Sequence, residues 1–196
     1  MTLEEINTIA QTIGVLAILA SLLFVGRQLQ QAQKIERAAA QRELLNRVSD
    51  FTWKVSLIGA EGDLFVKGLM DFDNAPARQQ GYLSAALADF VFITESALIM
   101  HKDGFFSDGT WAGIEGSALA MLRTPGGAQW WRYGQTYIGP EIVAHLKKRL
   151  AEIDPAAPTL IDFLPTYRKR LEELRALEAQ AGTPPAASQP DAGDAP

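Results

Sequence analysis

Six side chains in the middle of the sequence could together form a polar site walled by aromatic rings. Glu95 is the only charged residue between Asp89 and His101, in a stretch otherwise dominated by apolar residues. If Glu95 is buried, its charge needs a cation or a hydrogen-bond donor, and Arg132 is the candidate partner. The candidate pocket comprises Glu95, His101, Trp111, Trp130, Trp131 and Arg132. The simpler interpretations are a structural hydrogen bond for Glu95 and core packing for the tryptophans.

Metal and nucleotide sites need residue patterns that this sequence does not carry. The acidic stretch from Asp103 to Glu115 fails as a calcium loop, since Asp108 stands where the loop needs glycine. His101 and His145 lie on different predicted helices, and we interpret each as an interface or partly buried histidine. Pro125-Gly-Gly127 is too short to cradle phosphates and is interpreted as a helix stop. We therefore predict no metal, no cofactor and no catalytic residue.

Composition limits the classes of partner. The 196 residues carry a formal charge of -5, which argues against nucleic acid because phosphate binding needs a concentrated basic surface. The chain contains no cysteine, so neither disulfides nor thiolate ligands contribute and the fold depends on packing. The length predicts one modest domain.

The N-terminal segment predicts a membrane helix over residues 6–26. From Ile6 to Gly26 no residue is charged, and 21 helical residues span about 30 Å, the thickness of the hydrocarbon layer. The preceding Glu4 and Glu5 are unlike the basic start of a signal peptide. Lys and Arg occur only after the segment, beginning at Arg27, which places the amino terminus outside and the remainder in the cytoplasm. The alternative is a soluble protein whose first helix packs in its own core.

Four small residues share one face of this predicted span. They are spaced by four, three and four positions, so another helix could approach closely there. The residues are Ala10, Gly14, Ala17 and Ser21. They indicate a homo-oligomer or a membrane protein partner, although a face that only meets lipid explains them as simply.

The membrane helix is predicted to continue as a stalk over residues 27–44 and to enter a helical bundle over 45–180. Neither proline nor glycine occurs between Arg27 and Gly59, and the composition favours helix. Apolar positions with helical spacing predict the inward face of this part: Leu45, Val48, Thr52, Val55 and Ile58, widened by Leu44, Phe51 and Trp53. Residues 181–196 lack large apolar side chains and predict a disordered tail.

Turn and capping residues divide the bundle into further helices, and no strand pattern is apparent. A short helix is predicted near residues 63–71, a mostly buried central helix over about 77–100, and a helix from Ser107 or Asp108 to Leu122. A short aromatic helix, one that starts at Gly139-Pro140 and one that bends or begins at Pro165 follow. The predicted fold class is all-α.

Several ordered motifs carry a family resemblance. They are the uncharged N-terminal span running into Gln31-Ala-Gln-Lys34 and Arg37-Ala-Ala-Ala-Gln41, then Phe90-Val-Phe-Ile-Thr-Glu95, Asp103-Gly-Phe-Phe-Ser-Asp108 with Trp111, Pro125-Gly-Gly-Ala-Gln-Trp-Trp131 and Gly139-Pro-Glu141. Over residues 6–152 the chain resembles a widespread group of uncharacterised bacterial proteins with one N-terminal membrane helix. The resemblance implies a bacterial inner-membrane protein of helical fold, and it implies no activity or catalytic residue.

These observations favour a non-enzymatic module, tethered to the lipid bilayer, that binds a protein partner or scaffolds a complex. The alternative is a small-ligand binder or an enzyme with a pocket around Glu95 and the Trp130–Trp131 segment.

Overall fold

The computed structural model describes residues 2–57 and 59–181, and this part of the chain is all-α, as predicted. Its eight helices are α1 (Leu3–Lys54), α2 (Ala60–Met70), α3 (Ala77–Lys102), α4 (Asp108–Leu122), α5 (Pro125–Gly134), α6 (Pro140–Glu152), α7 (Leu160–Phe163) and α8 (Pro165–Ala181). The positions predicted for Ile58 and for the tail beyond residue 181 lie outside the described residues.

Local sequence explains where these helices begin. Ser107 caps α4, because its hydroxyl accepts a hydrogen bond from the Thr110 backbone N–H, as its residue type predicts. Thr124 caps α5 in the same way by accepting from the Gly127 N–H. Pro125 and Pro140 each occupy the first turn of their helix, where a missing N–H costs nothing.

The central helix is α3, which contacts α1, α2, α4, α5 and α6. Its buried side chains point in several directions, whereas Phe92 and Ile99, on which the prediction of a mostly buried helix also depended, are exposed. The fully or nearly fully buried residues are Leu83, Ala86, Leu87, Phe90, Val91, Ile93, Thr94, Ala97 and Leu98. Packing around α3 therefore forms the core of the bundle.

The Pro125-Gly-Gly127 segment does more than stop a helix. It is the start of α5, and Gly126 lies so close to α2 that a Cβ there would overlap the backbone carbonyl of Gly68. Only glycine permits this approach of two backbones. The motif predicted to separate helices is thus a contact between α5 and α2.

Helix α1 packs on α3 in the antiparallel sense, and its buried face is narrower than the predicted one. Near its C-terminal end, the Phe51 and Phe90 rings lie 4.7 Å apart. Further back, the Gln41 side chain donates to the backbone carbonyl of Phe105. Leu44, Phe51 and Val55 are buried and Val48 is half-buried, as predicted, whereas three residues predicted to point inward are exposed, namely Leu45, Thr52 and Trp53. A turn of about 100° per residue means that only one of the adjacent Leu44 and Leu45 can face α3.

Candidate functional site

The first candidate surface is the exposed apolar segment of α1, residues 13–25. Every side chain in it is exposed, although nine are large and apolar. Their exposed fractions run from 49% at Val25 to 73% at Leu23, and the nine are Ile13, Val15, Leu16, Ile18, Leu19, Leu22, Leu23, Phe24 and Val25. They surround the helix on all sides, so contact with one neighbouring helix would still leave much of this surface in water.

Among the described residues, two helices are long and apolar enough to cross a bilayer by length and composition, α1 and α3. Their surroundings differ, because half of the apolar window of α3 is buried by the bundle and none of that of α1 is. The structure thus separates an apolar core helix from an apolar helix that its own chain leaves uncovered.

The small residues of the predicted contact face lie on this uncovered segment. Gly14, Ala17 and Ser21 are exposed, and the Ser21 hydroxyl donates to the Ala17 carbonyl at 2.8 Å. That bond satisfies the hydroxyl within the helix. Ala10 belongs to the same helix, and its side chain is not among those that the structure describes.

Glu95 is half-buried on α3 and packs against the start of α6. A Cβ at position 139 would overlap Glu95 Oε1, so Gly139 makes room for this carboxylate. The expected partner is elsewhere, since the Arg132 guanidinium forms an ion pair with Asp73. The expected Glu95–Arg132 pair is therefore not formed. Glu95 lies against Gly139 at the start of α6, and Arg132 of α5 pairs with Asp73.

His101 and Trp111 do meet, together with a residue that the predicted pocket omitted. The His101 and Trp111 rings are stacked, with centroids 5.7 Å apart and an interplanar angle of 11°. His145 approaches the same indole edge-on at 5.5 Å. Trp111 is 8% exposed, so it lies between two imidazoles contributed by α3 and α6.

Next to this stack, a buried carboxylate joins α4 to α6. Glu115 is 7% exposed, and its Oε1 lies 2.6 Å from His145 Nε2 and 3.0 Å from Arg149 Nε. Both nitrogens can donate to the ionised carboxylate. The hydrogen bonds that Arg149 donates to Glu115 and Glu152 raise its pKa above the usual value, and the bond to Glu115 has the larger effect. This arrangement satisfies Glu115 and fixes the α4–α6 contact.

Trp130 and Trp131 belong to a different part of the molecule. Trp130 is 1% exposed, and its indole Nε1 donates to Ser84 Oγ at 3.0 Å. Ser84 precedes His101 by 17 residues on α3, which is about 25 Å along the helix. The two tryptophan regions are thus far apart, and burial accounts for Trp130 as core packing.

Two surface clefts are lined by residues other than those of the predicted pocket. One of about 260 Å³ lies between α2, the α2–α3 loop and α8, with Lys67, Gln79, Leu171 and Arg175 among its lining residues. A second, of about 340 Å³, is lined by Phe72, Asp73, Gln80 and Tyr133. None of the six predicted pocket residues lines either cleft. Within residues 2–57 and 59–181, no group of three or more His, Asp or Glu side chains is placed to hold a metal ion.

Comparison with known proteins assigns no family: no protein-family model, no curated protein and no solved structure matches the chain. The function must therefore be argued from the surfaces just described.

Sequence reasoning missed Glu115 as a polar centre because it considered the residue only as the end of an acidic stretch. One signal was available, since His145 and Arg149 are four positions apart and share a face of the predicted α6. When a helix face that carries a histidine and an arginine is buried, a carboxylate is required to accept their hydrogen bonds. Which carboxylate meets it depends on the packing of α4 against α6, which periodicity does not specify.

Proposed function

We propose that this protein is a single-pass protein of the bacterial inner membrane whose helical bundle serves as a protein-interaction or scaffolding module in the cytoplasm. The observation that carries the proposal is that every residue from 13 to 25 on α1 is exposed. A bilayer covers such a helix on every side, and the uncharged stretch from Ile6 to Gly26 has the length of one crossing.

Orientation follows from the flanking charges. Arg27, Lys34 and Arg37 lie beyond the C-terminal end of the span, and no Lys or Arg precedes it. The positive-inside rule then puts the amino terminus outside and the bundle in the cytoplasm. The bacterial part of the proposal rests on the resemblance of the sequence motifs alone, since no family model and no curated protein matches the chain.

An interaction role has more support than a catalytic one. The residues of the predicted pocket divide between the Trp111 stack, the Ser84–Trp130 contact and the Arg132–Asp73 pair. A catalytic site needs its groups around one reacting atom, and these groups are dispersed. The exposed small residues on α1, by contrast, are of the kind that lets membrane helices approach closely.

Alkaline carbonate extraction of the full chain tests the anchor. A bilayer-spanning helix keeps the protein in the membrane pellet, whereas release into the supernatant would show a peripheral or soluble protein. For the interaction role, Gly14→Ile should weaken association in a membrane two-hybrid assay, and Ala20→Ile, a matched change on a different part of the same helix, should have less effect. Equal signals from both variants and the parent would remove the small-residue face from the proposal.

A further inference from the structure

The cytoplasmic part of α1 carries an exposed, almost uncharged line of residues. We call it the α1 seam, and its members recur in strictly alternating steps of three and four: Gln28, Gln31, Ile35, Ala38, Arg42, Leu45, Ser49 and Thr52. All eight are exposed, including Ile35 at 63% and Leu45 at 48%. Arg42 is the single charged member. Positions in this 3.5-residue repeat are those through which helices pair along their length, and here they carry two large apolar side chains, Ile35 and Leu45, among small and polar ones.

Charge is segregated away from the seam where α1 passes the bundle. From Ile35 to Lys54 the other charged residues all occupy different positions of the repeat, namely Glu36, Arg37, Glu43, Arg47, Asp50 and Lys54. The seam is therefore suited to contact with another uncharged helical surface.

The bundle leaves the seam accessible. The adjacent line of α1 is buried at Leu44 and Phe51, and the Phe51 ring packs on Phe90 of α3. Leu45 and Thr52 each follow a member of that line by one position, which turns them about 100° away from α3. A further helix can lie on the seam without displacing the bundle.

The same alternation continues without interruption into the proposed membrane span. Phe24, Ser21, Ala17 and Gly14 precede Gln28 in steps of four, three, four and three. The unbroken helix Leu3–Lys54 contains both parts. On a straight helix the series drifts by about 20° per seven residues, so a left-handed supercoil of two helices is what would keep it on one contact line. The series from Gly14 to Thr52 covers 39 residues.

A second copy of the chain is the occupant that meets these conditions. Two copies inserted with the same orientation present their α1 helices in parallel and at the same depth, so identical positions face each other. A strip of 39 residues is about 58 Å long and, at a helix diameter of about 10 Å, covers roughly 600 Å². Stable interfaces bury about 800 Å² on each partner, so this surface is of the required order.

We propose that α1 pairs in parallel with α1 of a second copy along the seam, with Ile35 and Leu45 as the main apolar contacts outside the membrane. Arg42 weakens the pair and fixes its register, as a polar residue does at a core position of paired helices. The inference rests on the proposed membrane insertion, which aligns the two helices.

Because the chain has no cysteine, single cysteines can be placed along α1 in the full-length protein and oxidised in membranes. Ile35→Cys, Ala38→Cys and Leu45→Cys should give disulfide-linked dimers. The matched variants Glu36→Cys and Arg47→Cys, on exposed positions outside the seam, should give little. An even yield over all five positions, an absence of dimers, or an adduct with the mass of a different protein would overturn the pairing.

A second set of variants tests the energetic claim with Ala38→Cys as the reporter. Leu45→Glu should reduce the cross-linked fraction about tenfold, since it sets two like charges against each other in the seam. Arg47→Glu is the control and should leave it unchanged, while Arg42→Leu should increase it. Carbonate extraction of the same variants separates the two proposals: protein retained in the pellet without cross-links contradicts only the pairing, and protein released contradicts the membrane insertion.

Discussion

Helices α1 and α3 contain apolar stretches of nearly the same mean hydropathy but lie in opposite surroundings. Leu87 of α3 is 1% exposed, whereas Leu22 of α1 is 63% exposed. The difference arises from partners and not from composition, since five helices of the chain pack on α3 while the apolar part of α1 projects beyond them. A hydropathy profile alone therefore identifies apolar helices without telling which surface will cover them.

The same truncation at these two leucines should have very different consequences for the bundle. Leu87→Ala removes buried contacts and should lower the free energy of unfolding by about 2–5 kcal/mol, because a cavity is left. Leu22→Ala should change it by less than about 0.5 kcal/mol. Urea unfolding in mild detergent, followed by tryptophan fluorescence, measures both. Comparable losses would mean that residues 13–25 pack on the bundle after all.

A charge placed on each of the two apolar helices, α1 and α3, tests their difference through membrane association instead of stability. Leu19→Arg lies in the middle of the exposed segment and should oppose insertion by about 2.5–3.5 kcal/mol, which lowers the carbonate-resistant fraction. Ile99→Arg is the control, since Ile99 is 50% exposed on α3. Its membrane fraction should equal that of the parent protein. The contrast between the two helices fails if Ile99→Arg releases the protein as readily as Leu19→Arg.

Within the bundle, burial should also set the strength of the ionic contacts. Glu115→Ala leaves His145 and Arg149 without their common acceptor and should cost about 1–3 kcal/mol. Glu152→Ala removes another carboxylate bound to Arg149, but Glu152 lies on the surface and the cost should stay below about 1 kcal/mol. Urea unfolding at neutral pH measures the loss of stability in each of the two variants. Equal costs would show that the Glu115 contact contributes no more than a surface ion pair.

The smallest expected effect concerns a partly exposed pair between α2 and α8. Arg170 donates two hydrogen bonds of 2.8 Å to Asp63 and holds the pKa of that carboxyl below its usual value. A lowered folded-state pKa stabilises the protein above the unfolded value, near pH 3.9, and the contribution is lost as the pH falls through the folded value. Asp63→Asn should cost less than about 1 kcal/mol at pH 7.

Unfolding of Asp63→Asn and the parent protein between pH 7 and pH 3 tests the sign of this contribution. The two stabilities should converge as the pH falls below about 4. A gap that widens toward acid pH would contradict the role assigned to Asp63.

The sequence was sufficient for the order of the helices apart from the separate short helix α7, because the information for it is local. Ser107 has a side chain that caps a helix, and Pro140 has a ring that starts one, whatever surrounds them. The apolar periodicity of α3 likewise indicated a helix enclosed by others. These features require no knowledge of which elements pack together.

Side-chain contacts between helices were much less predictable. The periodicity of α1 did not distinguish Leu44 from Leu45, although only Leu44 is buried. The pairing of Arg132 with Asp73, 59 positions away in sequence, depends on how α5 meets the α2–α3 loop. Each outcome is decided by tertiary geometry, to which residue type and spacing contribute little.

The central claim is that α1 crosses the membrane with its amino terminus outside and the bundle in the cytoplasm. Single cysteines at Thr2→Cys and Lys169→Cys, in this cysteine-free chain, can be exposed to a membrane-impermeant maleimide in intact spheroplasts. The account predicts labelling at position 2 only, with position 169 labelled after lysis. Protection of position 2 together with labelling of position 169 in intact cells would reverse the orientation, and protection of both until lysis would contradict the crossing.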